Sequence, residues 1–397
     1  MRKLVTAGMA LMIGALALAA CGTSAPTPTT LAPNHVGHRS AIPWSHVGPR
    51  WSLALWSSQA AKIYDTPNNS TSPLSYSLFL VAPNGGRYFI TSVPSNTSLL
   101  DWSPTTHRAL LDEPPFCPAG AYCPAETRGQ AVLVTMSLSS GRTLTTSEIG
   151  FSQTVLYSSA DFTRPRGRAL LVETQTNDHQ QLTRTSLTGV VQQTYPYLFS
   201  EVGKYTGYTV SSPDGTHLIL GAAGGVVDVS NAGAVLHQYS IPGVVYCEPT
   251  RWWMSDVILT SCSGAASPPQ LYLVNTLTAT VTTLSQSPTG MDNGDENAWQ
   301  LRDGIYVQTA GGCGYQYLSR LNASGHTTPV TVPRVATGDS VWVLAATHAS
   351  LLLHATLGCG PGQSLVWFTP SSHRTTVVLG PPLNGGSVVD ALGFPEK

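Results

Sequence analysis

Residues 212–220 read Ser-Pro-Asp-Gly-Thr-His-Leu-Ile-Leu, which is a tight turn followed by an apolar strand. Proline presets φ early in such a turn, and glycine adopts the positive φ that the turn then requires. Two weaker copies of this pattern lie upstream, at residues 101–108 and 161–168. The stretch therefore predicts a strand-turn-strand unit that recurs along the chain.

A second series of turns, rich in Asn, Gly and Ser, gives the length of the repeat. These turns lie at 84–86, 139–141, 187–189, 231–233, 276–278, 322–325 and 370–372. Their centres are about 44 to 56 residues apart, close to the length of one four-stranded propeller blade. Each turn joins two β-rich runs, such as 78–81 and 88–90, which we predict to be the outer two strands of a blade. The sequence thus predicts an all-β fold, a β-propeller of about seven four-stranded blades.

The Ser-Pro-Asp-Gly turn with its apolar strand resembles the repeat of TolB-like and WD40-like β-propellers. Residues 212–217 match that repeat, whereas the equivalent places in later blades read differently, at 251–256 and 302–304. The resemblance extends over residues 43–397 and implies a closed ring of blades. TolB-like proteins mostly have six blades, whereas seven pairs of turns are found here.

Ring closure requires a strand from the end of the chain. Residues 387–392 resemble the run at 98–101, which we predict to be an inner strand, so we expect them to complete the blade that begins near Trp44 and Trp51. Closure would remove the sheet edges that otherwise invite aggregation. The alternative with the same strand spacing is a pair of β-sandwich domains.

The N-terminus has the pattern of an exported lipoprotein. Arg2 and Lys3 precede a short apolar stretch, and residues 18–21 read Leu-Ala-Ala-Cys. These four residues resemble the lipobox of bacterial lipoproteins, which implies removal of the signal peptide 1–20 and acylation of Cys21. Residues 21–42 would then form a Thr/Pro-rich tether and 43–397 the propeller, held outside the cytoplasm on the cell membrane. An ordinary secretory leader or an uncleaved anchor is the alternative.

Composition limits the possible partners and chemistry. Charged residues make up 10% of the chain and the formal net charge is −1, without a basic stripe. Nucleic-acid binding requires such a positive surface, so we expect no nucleic-acid partner. We expect a monomer without a cofactor.

The cysteines provide a test of the predicted blade map. Setting Cys21 aside leaves six of the seven cysteines, an even number that favours disulfides in an exported protein. The predicted pairs, all on one face of the ring, are Cys117 with Cys123, Cys247 with Cys262, and Cys313 with Cys359. A zinc site is the alternative, but the chain has no Cys-x-x-Cys pair, and we expect no metal.

Two long connections on that same face carry the candidate ligand-binding residues. Tyr195, Tyr197 and Tyr205 belong to an aromatic-rich connection that would form a platform for a sugar or peptide; the alternative is packing between blades. Asp292, Asp295 and Glu296 concentrate acid in a second connection. Their spacing matches half of a calcium loop, and a solvated turn is the alternative.

Motifs for catalysis are missing from the sequence. It contains no recognisable nucleophile elbow, His-Glu-x-x-His pair, phosphate-binding loop or coupled carboxylate pair, so no catalytic residue is predicted. The sequence therefore predicts a binding or scaffolding module that presents one face to a protein, peptide or glycan of the cell envelope. The alternatives are a hydrolase or lyase with its site at the mouth of the propeller channel, and an accessory to an envelope transporter or kinase.

Overall fold

The structure of the protein is a computed structural model. It describes residues 31–59, 75–113, 131–149, 155–176, 180–195, 209–265, 267–286, 294–312, 315–336, 338–358 and 362–395. Within these segments the regular structure is β-strand apart from short 3-10 helices at Arg39–Ala41, Trp44–His46 and Pro370–Ser372. None of the helices described is long and apolar enough to cross a bilayer.

The described strands form seven sheets of blade size. Blade 1 contains β1 (Val36–His38), β2 (Ser52–Ser57), β3 (Ser75–Val81) and β4 (Arg87–Pro94), and blade 2 contains β5 (Ser98–Ser103), β6 (Arg108–Asp112), β7 (Ala131–Ser137) and β8 (Thr143–Ile149). Blade 3 contains β9 (Val155–Phe162), β10 (Ala169–Thr176), β11 (Gln180–Ser186) and β12 (Val191–Thr194), and blade 4 contains β13 (Thr209–Ser211), β14 (His217–Ala222), β15 (Gly225–Ser230) and β16 (Val235–Ser240). Blade 5 contains β17 (Tyr246–Met254), β18 (Val257–Ser263), β19 (Gln270–Asn275) and β20 (Val281–Thr283), and blade 6 contains β21 (Gly294–Leu301), β22 (Gly304–Ala310), β23 (Gln316–Leu321) and β24 (Thr327–Pro329). Blade 7 contains β25 (Ser340–Ala346), β26 (Leu351–Thr356), β27 (Gly362–Thr369) and β28 (Arg374–Leu379), and the last strand, β29 (Ser387–Gly393), belongs to blade 1.

The chain is a seven-bladed β-propeller. In blades 2 to 7 the four strands pair in sequence order and antiparallel, from the innermost strand outwards. Tight turns join the first strand to the second and the third to the fourth, as the two series of turns predict. The predicted fold class is confirmed, and the alternative of two β-sandwich domains is wrong because the strands form seven small separate sheets.

The ring closes in blade 1, where both parts of the chain meet. β29 is the innermost strand of this blade and pairs antiparallel with β2, from Ser52 opposite Gly393 to Ser57 opposite Ser387. The turn of blade 1 also packs on blade 7, because a Cβ atom added to Gly85, at φ +86°, would lie 3.1 Å from the carbonyl oxygen of Val378. Closure by residues 387–392 is therefore as the sequence predicts.

The hydrophobic core is divided among the seven contacts between neighbouring blades. Each cluster of buried side chains in the described residues draws on two adjacent blades, and the cluster between blades 7 and 1 completes the circle. Successive side chains of a strand point to opposite faces, so one strand serves two clusters. In β26, for example, Leu351 and Leu353 pack against blade 6 whereas Leu352 packs against blade 1.

Polar side chains on the innermost or second strand of a blade bond to the backbone of the inner strand of the next blade. Asp390 accepts a hydrogen bond from the Leu99 amide at 2.7 Å, and Ser261 donates to the Asp295 carbonyl at 2.7 Å. Gln308 bridges the backbone of Val341 at 2.9 Å. These bonds satisfy backbone groups that the inner edge of each blade would otherwise leave unpaired.

The ring has two faces, which we name by their connections. The turn face carries the turns between first and second strands, at 104–107, 163–168 and 212–216. The connection face carries the loops between second and third strands and the connections from blade to blade. Cys247 and Cys262 face each other in register on β17 and β18 and form a disulfide near the connection face.

Candidate ligand-binding site

A cavity of about 700 Å³ opens at the centre of the turn face. Its wall includes residues at or just beyond the ends of the inner strands of blades 1 to 5, namely Phe394, Ser103, Phe162, Ser211 and Trp252. We call it the mouth cavity. Its volume is typical of small-molecule sites, and contributions from separate blades at a ring axis are the arrangement in which a propeller can bind a ligand.

Sequence pattern explains how the wall forms. An acid followed by an aromatic residue ends the inner strands of blades 2 and 3, as Asp101-Trp102 and Asp161-Phe162. Trp102 and Phe162 are each 1% exposed, because alternate side chains of the strand pack between blades. The preceding acid therefore points to the other side of the strand, which brings Asp161 to the cavity.

Asp101 and Arg164 form an ion pair beside the cavity. Arg164 Nη1 lies 3.1 Å from Asp101 Oδ2, and Arg164 Nη2 donates to Asp101 Oδ1 at 3.2 Å. Asp101 also accepts from the backbone amide of Phe162 at 2.9 Å, so one buried carboxylate of blade 2 fixes the turn of blade 3. Bidentate pairing of this kind fixes both distance and direction.

Two acids line the mouth cavity: Asp214, which accepts hydrogen bonds from Ser212 and Thr216 of its own turn, and Asp161. The Asp161 side chain faces the mouth cavity, and protein surrounds it on its other sides. Burial raises the pKa of Asp161 to about 7, with a further increase from the charge of Asp101 and an opposing effect of Arg164. Because the Arg164 guanidinium is hydrogen-bonded to Asp101, a positively charged ligand group can compete for Asp161.

Further acids continue from the cavity into the ring. Burial is the main cause that raises the pKa of Glu173 and of Glu248 to about 7, and it also raises the pKa of Glu296. The charge of Asp161 acts on Glu173, and that of Glu296 acts on Glu248. Groups with such pKa values exchange protons near neutral pH, which is a property that binding sites and acid-base catalysts share.

Aromatic rings form the apolar part of the wall. Trp252 lines the cavity, and its Nε1 donates to the Ser211 carbonyl at 2.9 Å. Phe394 packs edge-to-face on Trp102 at 5.6 Å, and Trp102 Nε1 donates to the Gly393 carbonyl at 2.6 Å. The rings are thus held in place by neighbouring blades, and the cavity combines an apolar wall with an open carboxyl group.

Comparisons with known proteins find similarity among solved structures. The puromycin-hydrolysing peptidase of Mycobacterium tuberculosis is 11% identical with a TM-score of 0.47, over 89% of this chain and 57% of its own. TolB of Acinetobacter baumannii is 12% identical with a TM-score of 0.39, over 94% and 89% of the two chains. The Cps50 β-propeller domain of Myceliophteria thermophila is 13% identical with a TM-score of 0.47, over 81% and 96%. The chain thus spans little more than half the length of the peptidase. No protein-family model and no curated protein matches the chain.

The structure places three of the sequence-predicted ligand residues. Tyr195 follows β12 and is 3% exposed, and its hydroxyl group donates to the Asn231 carbonyl at 3.4 Å. Its ring packs between blades 3 and 4, so it offers no open platform. Asp295 is fully buried and Oδ1 accepts from Thr309 Oγ1 at 3.1 Å. Glu296 is half-buried and accepts from Gln316 Nε2 at 2.9 Å.

The expected position of the two acids needs correction. Asp295 and Glu296 were expected in a connection between blades, but β21 begins at Gly294, so both belong to the inner strand of blade 6. The following residues Asn297 and Ala298 continue the pairing with β22. The segment is therefore a strand, where a loop was expected. Glu296 therefore belongs with Glu173 and Glu248, the acids that continue from the mouth cavity into the ring, and not to a half-matched calcium loop. Among the described residues, no group of three His, Cys, Asp or Glu side chains could hold a metal ion.

Several predicted site residues lie outside the described residues. They are Cys21, Cys117, Cys123, Cys313, Cys359, Tyr197, Tyr205 and Asp292. The disulfides predicted for four of these cysteines and the acylation of Cys21 stay predictions.

Sequence analysis missed the residues of the mouth cavity. Asp161 and Arg164 lie in a segment that we identified only as a copy of the turn pattern. The available signal was the repeat of an acid before an aromatic ring in two successive blades. The ligand-binding residues predicted from the sequence were expected on the connection face, whereas the mouth cavity opens on the turn face.

Proposed function

We propose that this protein is a binding protein of the cell envelope that takes a positively charged group with an apolar neighbour into the mouth cavity. The observation that carries the proposal is Asp161, an exposed carboxyl group in a cavity lined mostly by aromatic, proline and small side chains, with Asp214, Arg164 and Arg251 as its other charged residues. A peptide amino terminus or another primary amine has this chemistry. The acids behind Asp161 add to the attraction for a cation, because fields focus inside a low-dielectric cleft.

Asp161→Asn is expected to weaken amine binding about tenfold, which corresponds to about 1.4 kcal/mol. The probes are tripeptides with an apolar second residue, each with a free or an acetylated amino terminus, titrated calorimetrically into the purified protein. Binding of the free amine should strengthen as pH rises through about 7, because Asp161 then loses its proton. Glu148→Gln, which removes an exposed acid of blade 2, is the control and should bind as wild type does. Equal binding of acetylated and free peptides would contradict the proposal.

The envelope location is part of this proposal and is supported by the signal-peptide pattern that ends at Cys21. Metabolic labelling with palmitate is expected to mark the wild-type protein and to leave Cys21→Ala unlabelled, because the cysteine sulfur carries the acyl group. A labelled Cys21→Ala protein would place the lipid elsewhere, and an unlabelled wild-type protein would exclude the anchor.

A hydrolase or lyase with its site in the same cavity is the second candidate. It is favoured by Asp161 in the cavity wall and by Glu173, on which the charge of Asp161 acts, because their pKa values of about 7 suit general acid-base catalysis. Turnover of a peptide or glycan substrate that Asp161→Asn abolishes would decide for this candidate, whereas unchanged probes after long incubation would decide for binding.

A further inference from the structure

A second cavity, of about 240 Å³, lies on the turn face beside the mouth cavity. It is bordered by the turn of blade 3, by the outer strands of that blade and by Asn231 in the turn between β15 and β16 of blade 4. Its polar lining consists mainly of Arg164, Arg166, Arg168, Arg184, Gln192 and Asn231. We call this cavity the arginine pocket. It shares only the segment Arg164–Pro165 with the mouth cavity.

The arginine pocket concentrates positive charge in a protein that has little of it. Four of the 20 Lys and Arg residues line it, and no Asp or Glu is among its lining residues. The formal charge of the whole chain is −1, so general composition does not account for this excess. Like charges brought together repel one another, and such a cluster is stabilised when an anion binds between them.

Three of these arginines have no acidic partner among the residues that the structure describes. Arg164 is paired with Asp101, but within the described segments no carboxylate lies at ion-pair distance from Arg166, Arg168 or Arg184. The Nε atom of Arg184 is also buried and has no hydrogen-bond acceptor among those segments. A buried donor without an acceptor is destabilising, and more so when it is charged. An anion bound in the pocket would supply the missing acceptor.

Local structure holds the pocket open in one arrangement. The turn of blade 3 is closed by a hydrogen bond from the Gly167 amide to the Thr163 carbonyl at 2.7 Å, with Gly167 at φ +57°. The turn between β13 and β14 of blade 4 packs directly on it, because a Cβ atom added to Gly215 would lie very close to the Arg164 carbonyl oxygen. The Asn231 side chain donates a hydrogen bond to the carbonyl group of the same Gly215. Arg184 extends from β11, in the middle of a strand pairing. The walls therefore come from rigid elements, which reduces the entropy lost on binding.

We propose that the arginine pocket is an anion site that binds a phosphate or sulfate group. Guanidinium groups present a planar fork of N–H donors that matches the oxygens of such a group, and donors from several walls suit an anion with acceptors in all directions. A water molecule takes about 30 Å³, so 240 Å³ holds one such group with several waters. The group could belong to a soluble phosphate or to the headgroup of an anionic lipid. This site is independent of the amine site that we propose in the mouth cavity.

Calorimetric titration with inorganic phosphate and cosedimentation with vesicles test the proposal on the whole protein. The vesicles contain phosphatidylcholine, with or without phosphatidylglycerol. We expect saturable binding of phosphate, or of phosphatidylglycerol vesicles in excess over phosphatidylcholine alone. Arg184→Gln is expected to weaken it about tenfold or more. Arg142→Gln removes an exposed arginine from the turn of blade 2 and is the matched control, which should bind as wild type does.

A second variant distinguishes the loss of the binding site from misfolding of the protein. Arg166 and Arg168 are both exposed, so the double variant Arg166→Gln/Arg168→Gln is expected to keep the wild-type unfolding temperature and to lose binding as Arg184→Gln does. Phosphate binding points to a soluble ligand, whereas binding of phosphatidylglycerol vesicles alone points to a lipid headgroup. Failure of both probes to bind, or equal binding by all variants, overturns the anion site and leaves the amine site untouched.

Discussion

Removal of residues 387–397 is expected to abolish the cooperative thermal unfolding of the propeller. These residues include β29, whose Val388 and Ala391 are buried between blades 7 and 1. Their loss would expose the inner edge of β2 and leave the Leu99 amide without the Asp390 carboxylate. Each large truncation of a buried side chain costs about 2 to 5 kcal/mol, so loss of the whole strand exceeds the stability of an ordinary domain.

Circular dichroism during heating, together with size-exclusion chromatography, measures this effect. The control is removal of residues 396–397 alone, which leaves every described contact of β29 in place. We expect the control to unfold as wild type does and the longer truncation to aggregate through its open edge. A longer truncation that melts cooperatively at the wild-type temperature would show that the ring does not depend on β29.

Asp101→Ala is expected to lower the free energy of unfolding by about 3 kcal/mol. Asp101 is 6% exposed, and its removal leaves the Phe162 amide without an acceptor and Arg164 without its ion-pair partner. The loss of one partner of a largely buried ion pair is strongly destabilising because the other charge stays without compensation. Urea denaturation measures the difference, with Glu148→Ala as the control at an exposed acid.

A double-mutant cycle separates the ion pair from the backbone contact. Arg164→Gln on the Asp101→Ala background should cost less than Arg164→Gln alone, because the charge is then removed from a site that already lacks its partner. Strict additivity of the two substitutions would assign the effect of Asp101 to its hydrogen bonds with the backbone amides of Trp102 and Phe162.

The fold could be predicted from the sequence because the residues of each turn specify that turn locally. A turn such as Ser212–Gly215 depends on the φ preferences of its own residues, and the spacing of the second series of turns gives the blade number without any long-range information. Closure was accessible for the same reason, since residues 387–392 resemble an inner strand. Local signals do not determine where each strand begins and ends. The assignment of Asp295 to a connection was wrong because β21 already begins at Gly294.

The site could not be predicted in the same way because its residues come from separate blades. Asp161, Trp252 and Phe394 are far apart in sequence and meet only where the ring axis reaches the turn face. The arginines show an intermediate case. Arg164, Arg166 and Arg168 are close in sequence, but only the pairing of β10 with β11 brings Arg184 to the same cavity.

The pairing of β2 with β29 also sets an order of events during synthesis. β2 emerges from the ribosome long before its partner β29, because the two strands are far apart in sequence. At about 5 to 20 residues per second, β2 waits on the order of tens of seconds for that partner. Throughout this time the inner edge of β2 has no partner strand. Chaperones that bind exposed strand edges would therefore act mainly during this interval.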